Sequence, residues 1–121
     1  MATTPKSAVA RGDLYWVDWS PGRASEQTGR RPALVVQENA ASANPNYPLT
    51  IVAAVTTQGR NFASHVAIEP SPANGLAATS YVKCEQLQTI SKARLTQRIG
   101  TLDEVSMQRV RIALLKVLNL T

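Results

Sequence analysis

Between Arg23 and Arg31 the chain places three arginines, a serine, a glutamate and a glutamine within nine residues, RASEQTGRR. Arg23, Arg30 and Arg31 supply planar, permanently charged donors suited to phosphate. Ser25, Glu26 and Gln27 supply donors and acceptors suited to a hydroxyl or to the edge of a base. That mixture fits a polyanion site, and it fits equally a solvated polar loop, since composition alone does not separate the two. Arg31 differs from its neighbours because it abuts Pro32 at the mouth of a strand. The sheet then fixes its position, as a preorganised contact to a transition state requires. Thr56 and Thr57 close a second apolar run, TIVAAVTT, where their hydroxyls can serve a ligand or bond a neighbouring backbone group.

Several chemistries are excluded by count. The chain has 121 residues, one Cys and one His. A zinc ribbon needs four clustered ligands, a disulfide two Cys, and a paired-histidine nuclease a second imidazole. His65 has the right pKa for a general base, but it begins a strand with apolar partners and no acid stands beside it in sequence. Cys84, between Lys83 and Glu85, has neither a ligand set nor a base. A net charge of +5 points to polyanions or acidic proteins as partners. No apolar run approaches the roughly 18 residues of a membrane span, and the first ten residues lack the apolar stretch of a signal peptide. The expectation is a cytoplasmic protein without a membrane segment, a metal or a cofactor.

The elements that must position these groups are short. Residues 1–10 lack periodicity and are expected to form a disordered arm before a single domain over 11–121. Residues 14–19, LYWVDW, read as a first strand, with Leu14 and Trp16 on one face and Tyr15, Val17 and Trp19 on the other. Tyr15, Trp16 and Trp19 suit the core, and also the stacking of bases. Residues 22–31 read as a loop. Pro32, lacking an N–H, is expected at the start of a strand over 33–37. Residues 38–48 form a loop, 50–57 a central strand, 65–68 a short strand and 70–78 a loop. Strand material follows over 80–84 and 86–90 with a break near Glu85, then a helical turn over 91–94 and a last strand over 95–99. Asp103 is a candidate N-cap, Leu102 can staple onto Met107, and Met107, Val110, Leu114, Val117 and Leu118 recur at helical spacing over 103–119. The fold class is mainly β with a C-terminal helix, a small barrel or twisted sheet closed by that helix, in one domain.

Four ordered motifs carry a resemblance. Arg11-Gly12-Asp13-Leu14-Tyr15, then Ser25-Glu26-Gln27-Thr28-Gly29-Arg30-Arg31-Pro32-Ala33-Leu34-Val35-Val36-Gln37, then Ile51-Val52-Ala53-Ala54-Val55-Thr56, and finally Glu85-Gln86-Leu87-Gln88-Thr89-Ile90 resemble the successive signatures of the MazF/PemK toxin family. The match spans about residues 11–118. It implies an SH3-like barrel of the CcdB/PemK type, a homodimer, and a sequence-specific, metal-independent endoribonuclease acting on single-stranded mRNA. A cognate antitoxin with an acidic, disordered tail would silence it. By the same resemblance Arg31 and Thr56 carry catalysis, and Glu26, Gln27 and Gln58 contact or position RNA. Arg23, Ser25 and Arg30 are further candidates for RNA contact. Thr28 stands where the family usually has a glycine, and Arg30 adds a cation beside Arg31.

Metal-free RNA cleavage uses the substrate's own 2′-hydroxyl, so the protein supplies orientation, proton transfer and charge stabilisation. Arg31 and Thr56 meet the charge demand. Two readings stay open: Arg31 as acid toward the leaving oxygen with Glu26 or a water as base, or a slow enzyme in which orientation does most of the work. The alternative is a non-catalytic CcdB-like toxin or an RNA-binding module of the same fold. The C-terminal Trp-Gly-Ile of CcdB-like proteins is not matched by Leu118-Asn119-Leu120-Thr121.

Overall fold

Period-two burial along β-branched and aromatic runs builds one antiparallel sheet. The computed structural model describes residues 9–19 and 29–120. Their order is β1 (Asp13–Asp18), β2 (Arg30–Val35), a one-turn helix α1 (Asn39–Ser42), β3 (Leu49–Thr56), β4 (His65–Ile68), β5 (Ser80–Ser91), a 3-10 turn (Lys92–Arg94), β6 (Leu95–Thr101) and helix α2 (Glu104–Val117). The six strands lie in the order β4-β5-β3-β2-β1-β6.

Both faces of the sheet are buried. Leu14, Leu34, Ala53, Val55 and Val82 form one core with Val110 and Ala113 of α2. Val17, Trp19, Ala33, Val35, Val52 and Ala54 form a second core with Ile90 and Leu95. Ile90 on β5 and Leu95 on β6 stand four strand positions apart, roughly 19 Å in a flat sheet. Their membership of one cluster requires the sheet to curl into a barrel-like shape. None of the described helices is long and apolar enough to cross a membrane.

The Arg11-Gly12-Asp13 motif is a structural lock. Gly12 adopts φ +97°, a conformation that favours glycine. Its N–H donates to the Val35 carbonyl at 2.8 Å and its own carbonyl accepts from the Leu102 N–H at 3.0 Å. The buried Asp13 carboxylate accepts from the Ala10 N–H at 3.1 Å and the Thr101 hydroxyl at 2.8 Å, and pairs with Arg98 at 3.3 Å.

Several sequence expectations need correction. Of the arm expected over 1–10, residues 1–8 lie outside the described residues, whereas Val9 is 1% exposed and packed in the second core. Strand β2 starts at Arg30, so Arg30 and Arg31 are strand residues rather than loop residues. The loop 38–48 contains α1. The break near Glu85 is a bulge within one strand, where the β3 register jumps from Ala53↔Leu87 to Ala54↔Lys83. Asp103 caps α2, its carboxylate accepting from the Ser106 N–H at 2.7 Å. Val117 and Leu118 are exposed, because the helix ends there beyond the sheet that buries Val110 and Ala113.

Candidate active site

The end of the sheet where β1 and β3 finish and β2 begins gathers Arg30, Arg31, Thr56 and Gln58, and a missing N–H shapes it. The β2–β3 ladder runs from Val35↔Val52 to Ala33↔Ala54 and stops immediately before Pro32. The β1–β2 ladder continues through Trp16↔Pro32 and Val17↔Arg31 to Asp18↔Arg30. Proline has no donor to give β3, so pairing on that side ends while pairing with β1 persists. Arg30 and Arg31 are thus exposed yet held in strand geometry.

Carried two residues past its last pair, the β2–β3 register sets Arg31 across from Thr56. Thr56 is itself held from the other side by Tyr81 of β5. Alternation puts Arg31 on the face of Ala33 and Val35, and Thr56 on the face of Val52 and Ala54, which is the same face. Arg30 falls on the opposite face, with Pro32 and Leu34. Its guanidinium lies 4.5 Å from the centroid of the Trp16 ring and donates to Gln97 Oε1 of β6 at 3.2 Å. The two arginines are consecutive but do not form one cationic patch.

The segment after β3 is pinned at three points. Thr56 Oγ1 accepts from the Gln58 N–H at 3.1 Å. Gly59 lies so close to the Tyr81 ring that a Cβ there would meet Tyr81 Cγ at 2.0 Å. The Arg60 N–H donates to His65 Nδ1 at 3.0 Å, and His65 Nε2 donates to Glu85 Oε2 at 2.8 Å. With Nδ1 accepting, the imidazole proton must sit on Nε2. The exposed Gln58 side chain is thereby presented directly after Thr56.

This arrangement settles the role of His65. Its side chain is 3% exposed with both ring nitrogens engaged, so it acts as a fastening and not as a base. The sequence concealed its acid partner because Glu85 lies 20 residues away on β5. Burial works to raise the Glu85 carboxyl, but the bond from His65 and further hydrogen bonds outweigh it and hold the group below its ordinary value. Burial, with the neighbouring Glu85 charge, pushes the Cys84 thiol up to about 11, which removes it as a nucleophile. Among the described residues no group of three or more His, Cys, Asp or Glu could hold a metal ion. Arg23, Ser25, Glu26 and Gln27 lie outside the described residues. Gly59, Tyr81 and Glu85 are site-building residues whose roles sequence reasoning missed; Glu85 stood out there only as a strand break and the head of a motif, and Tyr81 not at all.

Comparison with known proteins gives concordant matches. A family model described as PemK-like, MazF-like toxin of type II toxin-antitoxin system matches residues 10–118. Endoribonuclease EndoA of Bacillus subtilis (strain 168) is 42% identical over 108 residues, covering 88% of this chain and 90% of that protein. An endoribonuclease in complex with its cognate antitoxin, from Mycobacterial species, superposes with a TM-score of 0.76 at 27% identity, over 93% of this chain and 96% of that one. MazF of Deinococcus radiodurans superposes with a TM-score of 0.74 over 91% and 96% of the two chains, and at 23% identity it speaks to the fold alone.

Proposed function

The chain belongs to the PemK-like, MazF-like toxin family of type II toxin-antitoxin systems, and on that premise we propose that it is an endoribonuclease that cuts single-stranded mRNA at a specific sequence without a metal. The observation that carries this reading is the register that sets Arg31 across from Thr56 on one face, where the ladder between their strands has stopped. The gap is a place where phosphate can meet a guanidinium and a hydroxyl together.

The substrate's 2′-hydroxyl attacks the adjacent phosphorus, and the P–O5′ bond breaks. Charge accumulates on the non-bridging oxygens. Arg31 neutralises it and supplies the proton to the departing 5′-oxygen, while Glu26 or a water takes the proton of the 2′-hydroxyl. Because Thr56 Oγ1 already accepts a bond from Gln58, its own proton is left to donate to a phosphate oxygen. The products are a 2′,3′-cyclic phosphate, or the 3′-phosphate derived from it, and a 5′-hydroxyl. Gln27 and Gln58 are assigned to base edges, with Arg23 and Ser25 on the same strand of RNA.

The second partner is an antitoxin with an acidic, disordered tail, to which the net charge of +5 is complementary. The active form is a homodimer of single-domain chains, working in the cytoplasm where its substrate is. Incubating the protein with a long RNA in EDTA and mapping the 5′ ends tests activity, metal dependence and recognition sequence at once. Arg31→Ala is expected to lower kcat by about 10²–10³-fold. Undiminished cleavage by that variant overturns the role of Arg31, and RNA bound but never cut overturns the enzymatic reading.

A further inference from the structure

The face of the sheet opposite Arg31 carries a second constructed feature. Strand β1 presents Trp16 there, half-buried, with Pro32 of β2 and Gln97 of β6 as its cross-strand neighbours. Arg30, the diagonal neighbour, reaches over β1 so that its guanidinium lies 4.5 Å from the indole centroid and bonds Gln97 Oε1 at 3.2 Å. Arg30 and Gln97 are both exposed. An exposed arginine ordinarily loses side-chain entropy when it binds a ligand. Here the indole and the amide already hold it while it stays exposed, and the bond to Gln97 uses one of its five N–H donors.

We propose that Arg30, Trp16 and Gln97 form a second RNA-binding platform, which takes a nucleotide flanking the cut site by stacking its base on the guanidinium or indole plane and bonding its phosphate to Arg30. The proposal rests on the endoribonuclease reading given above. Arg30 and Arg31 are consecutive at the start of β2, with Cα atoms about 3.8 Å apart, so an RNA strand seated on Arg31 meets Arg30 on the opposite face by turning round the start of that strand. Ligand chemistry favours nucleic acid over an acidic peptide. A carboxylate needs only the charge, whereas a flat cation held against an aromatic ring and flanked by an amide suits the π-face and edge of a base. The platform thereby selects nucleotides beside the scissile bond and does not take part in bond breaking.

The test compares steady-state cleavage of one RNA by the wild-type chain, Arg30→Ala, Arg30→Lys and Arg111→Ala, the last removing the same charge from the exposed face of α2. Arg30→Ala is expected to raise KM about tenfold at unchanged kcat and to redistribute the mapped 5′ ends. Arg30→Lys should recover the salt-sensitive part of the loss but not the redistribution, and Arg111→Ala should match wild type. Trp16→Phe should retain part of the affinity while losing the quenching of tryptophan fluorescence on adding RNA, since the remaining Trp19 is only 4% exposed. Cleavage by wild type with KM and 5′ ends unchanged in Arg30→Ala overturns the platform and leaves the enzymatic reading standing. Failure of wild type to bind or cut RNA overturns both. Unchanged RNA kinetics with lost binding of poly-L-glutamate in Arg30→Ala reassigns the surface to an acidic protein and also overturns the proposal.

Discussion

The two ends of the sheet are built from equally polar motifs, yet they use their polar groups in opposite ways. At the end marked by Arg11, Gly12 and Asp13, the backbone and carboxylate groups are consumed inside the molecule by Val35, Leu102, Ala10, Thr101 and Arg98. At the other end Arg30, Arg31 and Gln58 stand exposed around a ladder that has stopped short. A motif whose hydrogen bonds close on themselves specifies the fold. One held in place by strands and left exposed can be reached by a substrate.

Substitutions at the two ends should therefore separate stability from activity. The largest contrast pairs Thr56→Val with Asp13→Ala. Loss of the Thr56 hydroxyl should lower the cleavage rate by about 10²-fold with little change in the urea midpoint, as for removal of one transition-state donor. Loss of Asp13 leaves buried donors unpaired and should cost about 3 kcal/mol of stability, while kcat of the folded fraction is retained. If both variants lose activity and stability in proportion, the distinction between the ends fails.

A smaller contrast uses two glycines. Gly12→Ala forces a side chain into φ +97° and should destabilise the fold by about 1–3 kcal/mol. Its Cβ would meet Met107 at an ordinary 3.6 Å, so the cost lies in the backbone. Gly59→Ala drives a methyl into the Tyr81 ring and must displace the segment that follows Thr56. It should depress kcat as well as stability, which parallel activity and urea-denaturation measurements would separate.

The smallest effect concerns Glu85. Its folded pKa lies below the ordinary 4.5, so its contribution to stability is present above that value and is lost as pH falls through the depressed one. Glu85→Gln should flatten the acid limb of urea midpoints measured from pH 3 to 7 and leave the neutral side nearly unchanged. An unaltered acid limb would show that the His65–Glu85 pair does not couple to folding.

Much of this was legible in the residues. Strand β4 falls on HVAI as its alternation predicts, and the cap at Asp103 follows from the residue type and the apolar spacing behind it. The strand start at Arg30 was hidden because Pro32 reads as a beginning, and only the asymmetry of its two ladders shows that it ends pairing on one side alone. The opposite facing of Arg30 and Arg31 follows from that correction. The fastening of residues 57–64 through His65 was not legible, because it depends on Glu85 being brought alongside by the β4–β5 pairing.

The asymmetry at Pro32 also bears on how such a protein can change over generations. Arg31 takes its place from Val17 in β1, and Thr56 takes its place from Tyr81 in β5. Both of these anchors are strand pairings. Substitutions that leave both pairings intact keep the arginine and the threonine at their stations. Lineages built on this frame can therefore drift in what sequence they read while the paired arginine and threonine are inherited intact.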